Sequence, residues 1–264
     1  MNINDFKIMK QMNKKISMVT CYDYWSAKIM AHPDTQIDCL LVGDSLAMVM
    51  HGHATTIPAT MDLMSLHIRA VVHGAPNKFI IGDMPFLAAR KSQKNTMENV
   101  QKLMMAGANA IKLEAVTGEE KLIEYIVRSG VPVIAHLGLT PQSVNQLGGF
   151  CVQGKTEKSA EQIIQHAKKL EDAGCFAIVL ECIPAQLAKK ITEQLSIPTI
   201  GIGAGSYVDG QVLILQDLLG LNPEFKPKFL KHFCDGFQIV QSALNQFNEQ
   251  VKQVQYPAVE HCYK

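Results

Sequence analysis

The sequence lacks a surplus of charge of either sign. It has 25 Lys and Arg residues against 24 Asp and Glu residues, so its formal net charge at pH 7 is +1. Proteins that bind nucleic acid or an anionic membrane through their overall charge are typically strongly basic. The composition therefore gives no support to either as a partner.

Long apolar runs and paired cysteines are also missing. No segment reaches the roughly 20 apolar residues that a membrane-spanning helix needs. The first residues, MNINDFKIMKQMNKK, lack the apolar stretch of a signal peptide. The seven cysteines are scattered and include no CxxC pair, the spacing found in many zinc and redox sites. These absences predict reduced, mostly structural thiols and a cytoplasmic protein.

What the sequence does have is a series of short apolar runs that end on polar residues or glycine. One of them, LLVGDS, is apolar from Leu40 to Val42 and then places Asp44 and Ser45 at its end. A strand with one face in solvent would alternate polar and apolar residues, whereas a continuous apolar run predicts a buried parallel strand. Such runs occur at residues 17–23, 38–45, 78–85, 109–116, 131–138, 176–183, 197–205 and 211–217.

Segments with helical periodicity separate most of these runs. Helices are predicted over 60–74, over 95–107 with Asn95 and Thr96 as candidate N-caps, and over 156–174. This alternation predicts an α/β fold, a (β/α)8 TIM barrel, as a single domain over 1–264 with an N-terminal extension and C-terminal helices. A doubly wound open sheet is the alternative, but it would bring fewer strand ends together.

In a (β/α)8 barrel the carboxyl ends of all strands face one mouth, where active sites form. Five carboxylates in such a mouth would repel one another, so positive charge must be present. Lys112 and a protonated His136 would supply part of it, and a divalent metal the rest. Ligands that are all oxygen favour Mg²⁺ over Zn²⁺. The polar strand ends are Asp23, Asp44, Ser45, Asp83, Lys112, Glu114, His136 and Glu181.

Some of these residues also have purely structural explanations. Asp23 is more easily explained as the N-cap of the next helix. Lys112 could extend to solvent at the rim, and His136 could be a hydrogen-bonded core residue.

Several longer segments together resemble one enzyme family. They include CYDYWSAKI, LLVGDSLAMVMHGHATTIPATMDLMSLHIRAVVHGAPN, IGDMPF, AIKLE, AHLGLTPQSV, IVLECIP and TIGIGAGSYVDGQVLILQDLLG. From about residue 17 to about residue 235 the chain is similar to the ketopantoate hydroxymethyltransferases. That resemblance implies a Mg²⁺-binding (β/α)8 barrel that transfers a hydroxymethyl group from 5,10-methylenetetrahydrofolate to 3-methyl-2-oxobutanoate. The product would be 2-dehydropantoate, in the first committed step of pantothenate and coenzyme A biosynthesis.

The resemblance also implies roles for individual residues. Asp44 and Asp83 would bind Mg²⁺ directly, and Glu114 would support the metal through water. Glu181 would be the catalytic proton acceptor; it follows the apolar run CFAIVL, so apolar surroundings are expected for it. The substrate would be bound by Asp44, Ser45, Asp83, Lys112 and His136.

Two further segments carry expectations. Residues 137–156 contain turn residues and little helical periodicity, which predicts a lid or folate-facing loop, with a plain surface loop as the alternative. The family implies a homodecamer. Residues 227–254 place Phe229, Phe233, Phe237, Val240, Leu244, Phe247 and Val251 at helical spacing, as a subunit contact or as a cover for the barrel.

Two rival functions remain open from the sequence. One is a Mg²⁺-dependent lyase or mutase of the phosphoenolpyruvate mutase and isocitrate lyase type. The other is a non-catalytic keto-acid-binding sensor, which would not need Glu181. Turnover of 3-methyl-2-oxobutanoate with the folate separates the three.

Overall fold

The computed structural model describes residues 1–115 and 118–263. Within them, eight parallel strands form a closed barrel in sequence order. The strands are β1 (Ile16–Thr20), β2 (Cys39–Val42), β3 (Phe79–Asp83), β4 (Ala110–Glu114), β5 (Val133–Gly138), β6 (Ala177–Glu181), β7 (Thr199–Ile202) and β8 (Gly210–Leu213). Pairing of Ile16 with Gly210 joins the first strand to the last. The barrel prediction is therefore confirmed and the open sheet was wrong. Val116, the end of the fourth predicted run, lies outside the described residues.

Helices follow most of the strands and form the outer layer of the α/β architecture. They are α1 (Ile3–Gln11), α2 (Tyr24–Ala31), α3 (Leu46–Val49), α4 (Met61–Gly74), α5 (Gln93–Met105), α6 (Glu120–Arg128), α7 (Val144–Leu147), α8 (Glu157–Asp172), α9 (Ala185–Gln194), α10 (Leu215–Leu218) and α11 (Gly236–Lys252). A single 3-10 turn, Pro141–Ser143, connects β5 to α7.

Side-chain caps fix the starts of the predicted helices. Thr60 caps α4, and Thr156 caps α8 through a capping box. For α5 the predicted cap was wrong: the hydroxyl of Ser92, not Asn95 or Thr96, accepts the hydrogen bond, from the Asn95 N–H at 3.1 Å. The helix therefore begins at Gln93, two residues before the prediction.

Helix α1 covers the N-terminal end of the barrel. Its fully buried Phe6 makes edge-on contacts with Phe79 and Phe176, at centroid distances of 5.3 and 5.0 Å. The Lys10 ammonium donates to the Thr192 carbonyl and the Asp209 carboxylate, at 3.0 and 2.8 Å. An apolar seal at this end leaves the polar strand ends at the opposite mouth.

The chain divides into two compact units, Met1–Ile214 and Leu215–Lys264. The prediction of one domain over 1–264 stays a prediction. In the second unit the helix predicted over 227–254 begins only at Gly236, so Phe229 and Phe233 precede it. The reason lies in the backbone, because the Phe233 N–H donates to the Leu218 carbonyl rather than to a helical partner.

Helix α11 nevertheless carries an apolar stripe. The stripe residues are all exposed: Phe237, Val240, Leu244, Phe247 and Val251.

Of the helices in the described part of the chain, none combines the length and the apolar character required to cross a membrane.

Candidate active site

The ends of five consecutive strands bring the predicted site residues together. Asp83 ends β3, and Glu181 ends β6. Lys112 and Glu114 lie two residues apart on β4, so both face the barrel interior. Asp44, Asp83, Lys112, Glu114 and His136 are between 1% and 5% exposed.

A short ion pair lies at the centre of this group. The Lys112 ammonium donates to Asp83 Oδ2 at 2.6 Å, and the same oxygen accepts the Asp44 N–H at 3.2 Å. Asp83 Oδ1 is buried and accepts no hydrogen bond from a described residue. Lys112 is therefore a buried partner of a carboxylate, not a side chain that reaches solvent at the rim.

The buried group carries more negative than positive charge. Three carboxylates, those of Asp44, Asp83 and Glu114, surround one ammonium, so the formal charge is −2 when all are ionised. Burial raises the pKa of Asp83 to about 7, and Lys112 offsets only part of that rise. Burial, followed by the charge of Asp44, raises the pKa of Glu114 well above its usual range. Burial disfavours the Lys112 ammonium, yet the carboxylates outweigh this effect and raise its pKa.

His136 lies between two of the acidic residues. Its Nδ1 is 3.7 Å from Glu114 Oε1 and its Nε2 is 3.3 Å from Glu181 Oε2, although neither contact has the geometry of a hydrogen bond. Burial, with help from the Lys112 charge, lowers the pKa of His136. A lowered pKa disfavours the protonated ring, so the surroundings of His136 do not favour the positive charge expected from the sequence.

Glu181 is the most accessible of the acidic groups at this mouth. Its side chain is 19% exposed and faces the His136 ring, so its surroundings are more polar than the run CFAIVL predicted. The chain turns sharply beside it: Cys182 has a φ of +46° and Gly138 a φ of +96°. A Cβ on Gly138 would collide with the Glu181 carbonyl oxygen, so the close approach of β5 and β6 requires glycine here.

Of the remaining predicted residues, Ser45 lies at the mouth, whereas Asp23 caps a helix. Ser45 lies at the mouth, and its hydroxyl is 2.8 Å from the Tyr22 hydroxyl, a contact that the sequence did not predict. Asp23 instead accepts the Ser26 N–H at 2.9 Å as the N-cap of α2. The structural explanation for Asp23 is confirmed.

Gln142 is a site residue that the sequence analysis missed. It lies on the 3-10 turn after β5, within the predicted loop 137–156, and is buried. Its side-chain amide donates to Asp44 Oδ2 and to the Met84 carbonyl, both at 2.9 Å. Its backbone N–H donates to Glu114 Oε2 at 3.1 Å. One uncharged residue thus holds two of the carboxylates in place.

The residues present fit a divalent cation. The buried carboxyl groups of Asp44 and Asp83 and the unpartnered Asp83 Oδ1 would suit one, because carboxylate oxygens are the ligands that Mg²⁺ prefers. Across residues 1–115 and 118–263, no three His, Cys, Asp or Glu side chains are placed to hold a metal by themselves. Asp44 and Asp83 would therefore leave positions for substrate and water.

The barrel resembles solved enzymes at low sequence identity. A phosphonopyruvate hydrolase, solved with oxalate and Mg²⁺, aligns with a TM-score of 0.62 and 12% identity, over 98% of this chain and 93% of that one. A 2,3-dimethylmalate lyase of the phosphoenolpyruvate mutase and isocitrate lyase superfamily aligns with a TM-score of 0.60 and 14% identity, over 97% and 89%. At these identities the likeness shows the fold alone.

Sequence comparison is more specific. A 3-methyl-2-oxobutanoate hydroxymethyltransferase of Coxiella burnetii is 58% identical over 265 residues, which cover 100% of this chain and 99% of that protein. One of Bdellovibrio bacteriovorus is 55% identical over 99% and 98%. The family model for ketopantoate hydroxymethyltransferase matches residues 1–259. The chain therefore belongs to the ketopantoate hydroxymethyltransferase family of one-carbon transferases.

Proposed function

We propose that the enzyme transfers a hydroxymethyl group from 5,10-methylenetetrahydrofolate to 3-methyl-2-oxobutanoate, giving 2-dehydropantoate for pantothenate biosynthesis. One observation supports the proposal. In a chain of this family, the barrel mouth combines the buried carboxylates of Asp44 and Asp83 and the buried ammonium of Lys112 with the accessible carboxylate of Glu181. The C3–H bond of the keto acid and both C–N bonds of the folate methylene break, while a C3–C bond to that methylene carbon forms. Water supplies the hydroxyl group on the same carbon. The proton from C3 and one proton from water end on N5 and N10 of the tetrahydrofolate that leaves.

Binding of the keto acid falls to donors at the mouth. Its carboxylate and 2-oxo oxygen need positive charge and hydrogen-bond donors, which the Lys112 ammonium and the Ser45 hydroxyl provide. Both donors are held in place before substrate arrives, Lys112 by Asp83 at 2.6 Å and Ser45 by Tyr22 at 2.8 Å. Such preorganisation avoids part of the entropy cost of binding.

A Mg²⁺ ion would be held by Asp44 and Asp83 directly and by Glu114 through water. When bound, it would supply Lewis-acid stabilisation of the negative charge that develops on the 2-oxo oxygen. Gln142 fixes the orientation of Asp44, since its amide has both hydrogens engaged, one with Asp44 Oδ2 and one with the Met84 carbonyl.

Glu181 is the proposed general base for the C3 proton. Its side chain is 19% exposed, so the carboxylate can reach a substrate in the mouth and later release the proton to water. The ring of His136, whose lowered pKa disfavours the protonated form, lies 3.3 Å away and limits the positions that the carboxylate can take. His136 therefore acts beside the substrate without carrying charge.

Location and assembly extend the proposal. Free cysteines throughout the described residues fit the reducing cytoplasm predicted from the sequence. A homodecamer fits the exposed apolar stripe of α11, which a neighbouring subunit would cover.

The position of loop 137–156 supports a folate-facing role. The loop places Gln142 at the mouth and then returns past β6, where the Gln153 N–H donates to the Cys182 carbonyl at 2.9 Å.

The base assignment can be tested without folate. The parent enzyme should exchange the C3 proton of 3-methyl-2-oxobutanoate for solvent deuterium in a Mg²⁺-dependent way, followed by NMR. Glu181→Gln keeps the shape but cannot accept the proton, so exchange should slow by ~10²–10⁴-fold. Glu193→Gln, on the exposed face of α9, is the matched control and should exchange like the parent. Parental exchange in Glu181→Gln would assign the base to another residue, with His136 first in line.

A further inference from the structure

Two histidine rings meet outside the active-site group described above. The Nε2 atoms of His51 and His67 are 3.0 Å apart, and the rings are nearly perpendicular, at 86°. His51 follows α3 and is exposed, whereas His67 lies on α4 and is half-buried. The proposed transfer reaction uses neither ring.

The contact made by the second nitrogen of His67 fixes which nitrogen carries the hydrogen in the neutral ring. His67 Nδ1 lies 2.5 Å from the Tyr22 carbonyl oxygen, which can only accept a hydrogen bond. Nδ1 therefore carries the hydrogen, and Nε2 of the neutral ring points its lone pair towards His51. Metal-binding histidines in proteins are commonly held in this way, with the other N–H donated to a carbonyl or carboxylate.

We propose that His51 and His67 form a pair of adjacent ligands for a divalent transition-metal ion of the Ni²⁺ or Cu²⁺ class. With metal–nitrogen bonds of roughly 2.1 Å, two nitrogens 3.0 Å apart subtend about 90° at the metal. That is the angle between neighbouring ligands in square-planar and octahedral complexes, which Cu²⁺ and Ni²⁺ favour. Tetrahedral zinc would need the two nitrogens about 3.4 Å apart.

The proton balance of binding is simple. In the metal-free pair, His51 Nε2 carries the hydrogen that it donates to His67 Nε2. On binding, this hydrogen moves through solvent to Nδ1 of the exposed His51 ring, so that both Nε2 lone pairs face the metal. A neutral pair releases no proton, whereas a pair that holds one extra proton releases it.

Water fills the remaining coordination positions. In the described residues no third His, Cys, Asp or Glu joins the pair to form a larger ligand group. The site is chemically distinct from the one at Asp44 and Asp83, because imidazole suits Ni²⁺ and Cu²⁺ while carboxylates suit Mg²⁺. It is also close to that mouth, since Tyr22 binds His67 through its carbonyl and Ser45 through its hydroxyl.

Calorimetric titration of the full chain with NiCl₂ tests the proposal, in saturating Mg²⁺ so that the carboxylates are occupied. The exposed thiols of Cys151 and Cys262 are replaced by serine, because thiolates also bind Ni²⁺. One Ni²⁺ per chain is expected. His51→Gln removes one of the two ligands and should weaken binding by on the order of 10²-fold, the loss expected when two-point attachment becomes one-point. His73→Gln removes an exposed histidine from the same helix and should bind like the parent.

A structural readout separates this site from any other. Crystals soaked in Ni²⁺ should show an anomalous peak between the two rings, and the His51→Gln crystals should lose it. A peak elsewhere, an absence of Ni²⁺ binding by the parent, or parental affinity in His51→Gln would each overturn the proposal. Because the titration needs neither keto acid nor folate, its outcome is independent of the proposed transfer reaction.

Discussion

Replacement of Lys112 by methionine should expose the charge imbalance at the barrel mouth. Methionine has nearly the same length as lysine and fits a buried position, so the change removes the ammonium without opening a large cavity. Asp83 then loses its partner at 2.6 Å, and three buried carboxylates remain without a cation. Breaking a buried pair by removing one member typically costs about 3–5 kcal/mol. We expect a loss of this size in the free energy of unfolding of Lys112→Met at pH 8.

The loss should shrink at low pH. Burial already raises the pKa of Asp83 to about 7 and the pKa of Glu114 well above its usual range. Between the unfolded pKa of about 4 and the folded value, the folded state binds more protons than the unfolded chain, so these groups make stability fall as pH rises. Without the ammonium of Lys112 the pKa of Asp83 rises further. At pH 5 the carboxyls of Asp83 and Glu114 in Lys112→Met are then protonated and most of the penalty disappears.

Urea unfolding at pH 5 and pH 8 measures the effect, at one protein concentration because an oligomer's stability depends on it. Far-UV circular dichroism is the suitable signal, because Trp25, the one tryptophan, is 61% exposed and reports poorly on the core. Lys102→Met is the matched control, since its ammonium lies 3.8 Å from Asp62 on the surface, where ion pairs contribute little. Equal losses for Lys112→Met at the two pH values would refute the charge-imbalance argument.

Three further predictions concern packing and assembly. Gln142→Leu leaves Asp44 without its amide donor, so the free energy of unfolding should fall by at least about 2 kcal/mol. An unchanged free energy of unfolding would show that water replaces the amide. Gly138→Ala forces a side chain against the Glu181 carbonyl at a φ of +96° and should lower the midpoint of thermal unfolding by several degrees, whereas an unchanged midpoint would mean that the two strands can separate there. Light scattering should give a mass several times 29.1 kDa that falls on Leu244→Glu in α11; a parental mass for this variant would place the subunit contact elsewhere.

The sequence predicted most of the barrel because each strand carried its own evidence. The run ending at Asp83 is apolar along its length, as a strand buried on both faces requires, and its carboxylate marks the end. The spacing of Lys112 and Glu114 places both on one face of a strand, whatever the rest of the fold does. Apolar runs and residue spacings depend only on neighbouring positions in the chain, so they can be predicted from the sequence.

The remaining features depend on distances across the fold. Gln142 is uncharged and sits in a segment without periodicity, so only its contacts with two other strand ends show its role. The lowered pKa of His136 follows from burial and from the charge of Lys112, which no spacing in the sequence reveals. At the start of α5 the sequence predicted Asn95 or Thr96 as the N-cap, but Ser92 caps the helix, because several neighbouring side chains carry an oxygen that could accept the bond.

The closure of the barrel has a consequence for the order of synthesis. Asp44, Asp83, Lys112, His136 and Glu181 come from β2 to β6, whereas the ring closes only when β8 pairs with β1. During synthesis, every acidic and basic group of the mouth is therefore made before β8, the strand that completes the ring. The partner of β1 is β8, the strand farthest from it in sequence. Pairing these two strands closes the longest loop of the barrel, so its entropy cost is the largest and we expect it to form most slowly. Until then β1 has an unpaired edge, which is where a partly made chain is most exposed to aggregation.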